Sequence, residues 1–133
     1  MPVITITLSG EQLTSLQQRS LQEMTTHLIA EIMAKRKSVT AVMVRSLPSI
    51  NWAIAGNALN DHLRAAQVDI TITAGTNTAE EKGAMIDGVY RMLNDQLGPL
   101  AEASYVVIRE VAADAWGYGG ITQRSRQKMR EAL

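Results

Sequence analysis

The sequence predicts an α/β (α+β) fold in which two tandem β-α-β units form a four-stranded sheet with two helices on one face. Two observations lead to this prediction. A strand-like pattern occurs twice, as VITIT at residues 3–7 and DITIT at residues 69–73. Both segments alternate with period two and are rich in β-branched residues, as strands are. Trp52 and Trp116 lie 64 positions apart in matching local contexts, which indicates a duplication.

A helical pattern and a second apolar strand follow each of these segments. Thr78 and Glu81 have the spacing of a capping box, and Gly98 with Pro99 supplies a helix stop. The second strands are predicted within residues 39–47 and 103–111, where Arg45 and Arg109 repeat the 64-residue spacing. The predicted apolar stripes contain Leu13, Leu16, Leu21, Met24, Leu28 and Ile32 in the first helix, and Ala79, Ile86, Val89, Leu93 and Leu97 in the second.

These elements divide the chain into four segments that together make one compact domain. Residues 1–56 are the first β-α-β unit, residues 57–67 a connector with a short predicted helix, residues 68–120 the second unit, and residues 121–133 a basic C-terminal tail for which a helix is one alternative. Strands joined by a crossover helix should be parallel. Because apolar residues are predicted on both faces of the sheet, the face without helices should pack against another subunit.

Composition narrows the classes of function. Thirteen basic residues balance thirteen acidic residues, so no net charge attracts nucleic acid or an anionic membrane surface. The absence of cysteine removes disulfides and thiolate sites, and His27 and His62 alone make a poor metal site. No apolar run reaches the length of about 20 residues that a membrane helix needs. No signal-peptide pattern opens the chain, so a cytoplasmic protein is expected.

The opening Pro-Val-Ile-Thr-Ile after Met1 is similar to that of 4-oxalocrotonate tautomerase and its relatives in the tautomerase superfamily. Residues 78–120 resemble that family's helix, second strand and glycine-rich hairpin, including Glu110 and the turn Trp-Gly-Tyr-Gly-Gly. The resemblance implies a cofactor-independent tautomerase or isomerase with a catalytic N-terminal proline. It also implies a homotrimer of doubled chains that acts on a small carboxylated substrate, a 2-hydroxy-dienoate or 2-oxo acid.

Pro2 is the candidate catalytic residue. Removal of Met1 turns its nitrogen into a secondary amine that can accept a proton, whereas retention of Met1 leaves it an amide. An N-terminal amine has a pKa of about 7.7–8.0, which burial and nearby cations lower toward the range that suits general acid–base catalysis. Val68 or Gln67 stands where the second copy would need a proline, so one active site per chain is expected.

The candidate substrate-binding residues are Arg45, Arg109, Trp52, Trp116 and Tyr105. Neither of the family's substrate-binding arginines is matched. The place of the first falls near Glu11-Gln12 and Thr76-Asn77, and that of the strand arginine at Ala41 and Tyr105. Arg45 and Arg109 follow four residues later and could bind a carboxylate in their stead, or could be solvated. Trp52 and Trp116 match the family's pocket aromatic or belong to a subunit interface. Trp52 is slightly preferred because its own copy carries Pro2.

Two alternative functions remain open. A related proline-dependent hydratase, dehalogenase or decarboxylase would need a water-activating acid or additional arginines, and the segment ITITAGTNT that opens the second copy offers no arginine. A non-catalytic trimer with a structural or binding role would keep the fold without a cation near Pro2.

Overall fold

The computed structural model describes residues 1–60 and 62–132. Strands β2, β1, β5 and β6 form a four-stranded sheet in that order, while β3–β4 and β7–β8 form two short hairpins. The predicted α+β fold of two β-α-β units is therefore confirmed. In chain order the elements are β1 Val3–Ser9, α1 Ser15–Met33, β2 Ala41–Leu47, β3 Ala53–Ile54, β4 Asn57–Ala58, β5 Ala66–Thr73, α2 Ala79–Leu97, β6 Tyr105–Val111, β7 Gly117–Tyr118, β8 Ile121–Thr122 and α3 Gln123–Glu131.

The two units join through their first strands. Within each unit the two strands are parallel, as a crossover helix requires. Between the units, β1 and β5 are antiparallel, with Val3 opposite Thr71 and Leu8 opposite Ala66. The amino-terminal end of β1 therefore lies beside the carboxyl-terminal end of β5, and this arrangement determines which residues surround Pro2.

One face of the sheet is covered by α1 and α2. Alternate residues of the central strands point into this layer, among them Ile4, Ile6, Val68 and Ile70, all of which are fully buried. Neither α1 nor α2 covers the opposite face, where Tyr105 remains 63% exposed. Three members of the predicted helical stripes do not join the core, because Leu16, Ala79 and Ile86 are exposed.

The spacing of the duplication is 64 residues in the strands as well as in the helices. In both pairs of parallel strands, the residues that lie opposite each other are 38 positions apart in sequence. Val3 and Ala41 are an example from the first unit. Ala66 therefore occupies the position equivalent to Pro2, and the sequence-based assignment of that position to Val68 or Gln67 is wrong. The similar sequences VITIT and DITIT are 66 positions apart. The strand register instead makes residues 64 positions apart equivalent, which is a difference of two residues.

The segment between the two units is not helical in its described part. Asn57 and Ala58 form β4, Ala66 already begins β5, and the expected short helix is absent from residues 57–60 and 62–67; Asp61 lies outside the described residues. Arg64 anchors this segment, because its Nη1 donates to the carbonyl oxygens of Ser9 at 2.9 Å and Glu11 at 3.0 Å.

The C-terminal tail does form a helix, α3, with Thr122 as its N-cap. Within residues 1–60 and 62–132, no helix combines the length and the apolar character needed to cross a membrane.

Helix α1 ends in a backbone conformation that favours glycine. Its C-cap residue, Ala34, has φ 56°, in the left-handed region, whereas α2 ends on Gly98. Since a left-handed conformation costs an L-residue about 1–2 kcal/mol, Ala34→Gly is expected to raise the free energy of unfolding by about 1 kcal/mol. Denaturant unfolding measures this difference. Ala30→Gly, inside the same helix, should lower stability by about 0.5–1 kcal/mol, and a destabilised Ala34→Gly variant would contradict the argument.

Candidate active site

Pro2 is buried at the start of β1, where its carbonyl oxygen accepts a hydrogen bond from the Ala41 backbone N–H at 3.3 Å. The free amine of this chain belongs to Met1, which precedes it. Pro2 directly precedes β1, the first strand of its β-α-β unit. Its ring nitrogen therefore has a fixed position at the end of a central strand of the sheet. Loss of Met1 would expose that nitrogen without any change in the strand pairing that places it.

The tryptophan at this end of the sheet comes from the second unit. The register that pairs Val3 with Thr71 brings Thr73 beside the chain terminus, and Trp116 Nε1 donates to Thr73 Oγ1 at 3.2 Å. Trp52 lies near the opposite end of the sheet, where it lines a cavity with Thr7. Within one chain, antiparallel pairing therefore brings Trp116 rather than Trp52 to the Pro2 end, because each first strand lies beside the hairpin of the other unit.

Three cations surround the chain terminus. Burial lowers the pKa of the Met1 amine from its ordinary value of 8.0, and the charges of Lys35, Arg130 and Arg36 lower it further, in that order. Lys35 and Arg36 follow α1, whereas Arg130 arrives from α3 at the other end of the sequence. A terminal amine in this environment holds its proton less tightly than an exposed one, which favours the neutral, basic form.

Lys35 is held toward the sheet by the loop before α2. Its Nζ donates to Thr76 Oγ1 at 2.9 Å, and Asn77 Nδ2 donates to the Met33 carbonyl oxygen at 3.0 Å, which fastens the end of α1 to the same loop. Burial lowers the pKa of the Lys35 ammonium, while the charge of Glu81 raises it. Glu81 belongs to the predicted capping box, in which Thr78 N donates to its Oε1 at 2.8 Å.

The two predicted arginines lie at different ends of the sheet. Arg109 lies in the same row as Val3, and its Nη2 forms an ion pair with Asp69 Oδ1 at 3.0 Å. Arg45 lies at the far end, where its Nε donates to Thr7 Oγ1 at 2.8 Å. The structure thus brings Arg109 and Trp116 to the side of the sheet where Pro2 begins, and separates Arg45 from them.

A cavity of about 630 Å³ gathers the other predicted binding residues. Arg45, Trp52 and Tyr105 line it together with Gln67, next to Ala66 at the start of β5. Since Ala66 is equivalent to Pro2 in the 64-residue repeat, this end of the sheet corresponds to the Pro2 end. The five predicted binding residues therefore fall into two groups, one at each end of the sheet.

Comparisons with known proteins identify the family. A family model described as "Tautomerase enzyme" matches residues 67–123. The "Probable tautomerase K2" of Dickeya dadantii (strain 3937) is 44% identical over 62 residues, which are 45% of this chain and 92% of that relative. The chain belongs to the tautomerase family. The predicted resemblance is confirmed, and so is the assignment to a family of isomerases; the relative matches a stretch about as long as one β-α-β unit.

Solved tautomerase structures share the doubled arrangement. A fused 4-OT described as a symmetric trimer superposes with a TM-score of 0.82 at 16% identity, over 93% of this chain and 98% of that chain. Pt0534, solved after inactivation by 2-oxo-3-pentynoate, gives 0.82 at 18% identity over the same shares. At these identities the likeness extends to the fold alone, and it covers both β-α-β units.

The tautomerase fold places three cations at the terminus that sequence reasoning did not select. Lys35 and Arg36 were overlooked because they lie in a loop, although the run Ala-Lys-Arg-Lys directly after a helix that returns to the start of β1 was an available signal. Arg130 lies in the segment that was predicted only as a basic C-terminal tail. No sequence signal placed it at the terminus, because that depends on how α3 packs.

Proposed function

We propose that this chain is a cofactor-independent tautomerase that moves a proton within a small 2-hydroxy-dienoate or 2-oxo acid, with the Pro2 amine as the base and acid once Met1 is removed. The observation that carries the proposal is the cationic, partly buried surroundings of the chain terminus. Pro2 follows Met1 directly and lies deeper in the fold, so its amine would meet the same burial and the same charges.

The amine performs both halves of the proton transfer. In its neutral form it takes the hydroxyl proton of the enol, which leaves an enolate. The carbonyl double bond then forms as the electrons of the carbon–carbon double bond take the proton back from the ammonium at carbon, which completes the 2-oxo acid and restores the amine. Such catalysis works best when the pKa of the base lies near the working pH, and the cations at this site move the pKa of the amine in that direction.

The same cations suit the substrate. A small 2-hydroxy-dienoate or 2-oxo acid carries a carboxylate, and charge-assisted hydrogen bonds from Lys35, Arg36 or Arg130 would hold it beside the amine. Trp116 offers a flat apolar surface for the unsaturated part. Arg109 is a weaker candidate, since Asp69 already neutralises much of its charge.

We further propose that three chains assemble into a homotrimer. The sheet face opposite the helices presents Met43, which is 50% exposed, together with the partly exposed Val3 and Val107. Exposed apolar side chains on a sheet face without helices favour an interface, and closed cyclic symmetry is the usual way to bury one. The fused 4-OT structures of the same fold are described as trimers.

One sample tests both proposals. Native mass spectrometry reads the loss of Met1 and the number of chains, and ultraviolet absorbance follows the ketonisation of phenylenolpyruvate and 2-hydroxymuconate. We expect a methionine-free trimer that accelerates at least one of these reactions. Methionine-free protein with no rate above the uncatalysed reaction would contradict the proposed activity, and a monomer would contradict the proposed assembly.

A further inference from the structure

The cavity lined by Arg45, Trp52 and Tyr105, called here the Arg45 cavity, occupies the place in the second unit that the Pro2 site occupies in the first. At about 630 Å³ it falls within the usual range for small-molecule pockets, which is about 300–1,000 Å³. Its walls also include the amide side chains of Asn51 and Gln67. If both ends of the duplicated chain keep similar surroundings in the assembly, a ligand that reaches one end should reach the other.

This cavity has no base equivalent to the proline. Ala66 stands in the position of Pro2, and its backbone N–H donates to Ser104 Oγ at 3.0 Å. A nitrogen inside the chain is an amide, which does not accept a proton at ordinary pH, so the proline chemistry is confined to one end. The second end is left with the features of a binding site.

Arg45 gives the cavity its chemical character. It is the charged side chain among the described residues that line the cavity, and its Nε bond to Thr7 fixes the guanidinium plane. Its two terminal nitrogens make no hydrogen bond with residues 1–60 or 62–132. Arg109, its equivalent, is neutralised by Asp69, whereas Thr5 takes the place of that aspartate in the first unit. Arg45 therefore retains two parallel donors suited to a carboxylate.

We infer that the Arg45 cavity is a second, non-catalytic binding site for a small planar carboxylate. The Arg45 guanidinium holds the carboxylate, the rings of Trp52 and Tyr105 flank the flat unsaturated part, and Gln67 or Asn51 meets an oxo or hydroxyl group. This inference does not depend on Pro2 acting as a base, because no proton is transferred at this end.

The test uses trans-cinnamate, a planar carboxylate without an enolic hydroxyl, titrated into the full-length protein. Proton–nitrogen NMR resolves the two indole N–H signals, and Trp116→Phe assigns the remaining signal to Trp52. We expect cinnamate to shift the Trp52 signal. Arg45→Met should weaken this binding by about ten- to a hundredfold, since a hydrogen bond to a charged group contributes about 1.5–3 kcal/mol.

Two matched variants make the result decisive. Arg19→Met removes an exposed arginine from α1 and should leave the titration unchanged. Arg45→Lys keeps the charge but loses the paired donors, so intermediate binding is expected even if Arg45→Met folds poorly. A Trp52 signal that does not respond to cinnamate, or equal affinities for wild type, Arg45→Lys and Arg45→Met, would overturn the inference. Protein that retains Met1 should bind as wild type does, which separates this result from the test of catalysis.

Discussion

Keeping Met1 on the chain is expected to lower kcat/KM for ketonisation by about 10²- to 10⁴-fold, the usual contribution of a positioned acid–base group. The Pro2 ring keeps its place in both forms, because the strand pairing and the hydrogen bond from the Ala41 N–H do not involve the proline nitrogen. Only the chemistry of that nitrogen differs, since an amide has no available lone pair. Kinetics on the two forms, separated and verified by mass, measure the effect.

Pro2→Ala supplies the matched control for this comparison. After methionine removal, an N-terminal alanine still offers an amine in the same cationic surroundings, so we expect a smaller loss than in the blocked protein. Unfolding curves of the methionine-retaining and methionine-free forms should coincide closely. Equal kcat/KM for these two forms would show that the proline nitrogen is not the base.

Lys35→Met is expected to move the acid limb of the pH–rate profile to higher pH and to lower kcat/KM by about ten- to a hundredfold. A nearby cation disfavours the ammonium form, so its removal raises the pKa of the amine, and less neutral base is present at a given pH. The lower rate reflects the loss of a charge-assisted hydrogen bond to the substrate carboxylate, which contributes about 1.5–3 kcal/mol. Initial rates over a range of pH separate the two effects.

Lys37→Met provides the control, because Lys37 lies two positions away and its Nζ contacts His27 Nδ1 at 3.3 Å on the helix side. Its profile should match that of the wild type. Lys35→Arg keeps the charge and should keep most of the pH dependence. If the acid limb of Lys35→Met stayed at the wild-type pH, Lys35 would not act on the catalytic amine.

The two long helices and the four strands of the sheet could be predicted from the sequence because each has a local signal. The capping box of Thr78 and Glu81 predicted the start of α2, and both reciprocal hydrogen bonds are present. The equivalent box at α1, formed by Thr14 and Gln17, was not predicted, although glutamine fits the same signature. Leu16 was assigned to the buried stripe from its spacing alone, although it lies in the first turn of α1 and faces outward.

The composition of the site was harder to predict because it depends on long-range pairing. No local sequence pattern indicates that β1 and β5 are antiparallel. Because of this pairing, Trp116 lies at the Pro2 end of the sheet and Trp52 at the opposite end. Arg130 is a second example, since it is 128 positions away from Pro2 and reaches the terminus only through the packing of α3. Parallel pairing within each unit was predictable because a crossover helix connects the strands.

Because residues from both β-α-β units surround Pro2, cutting the chain between the units should divide the site. Cutting the chain within residues 57–60 would leave the amine, Lys35 and Arg36 on one fragment, and Thr73, Trp116 and Arg130 on the other. Neither fragment would contain a whole site. When the fragments are mixed, the rate at which the site re-forms should be limited by the association of β1 with β5. The duplicated halves are therefore complementary parts of one structural unit, and the half without the proline still supplies part of the proline's surroundings.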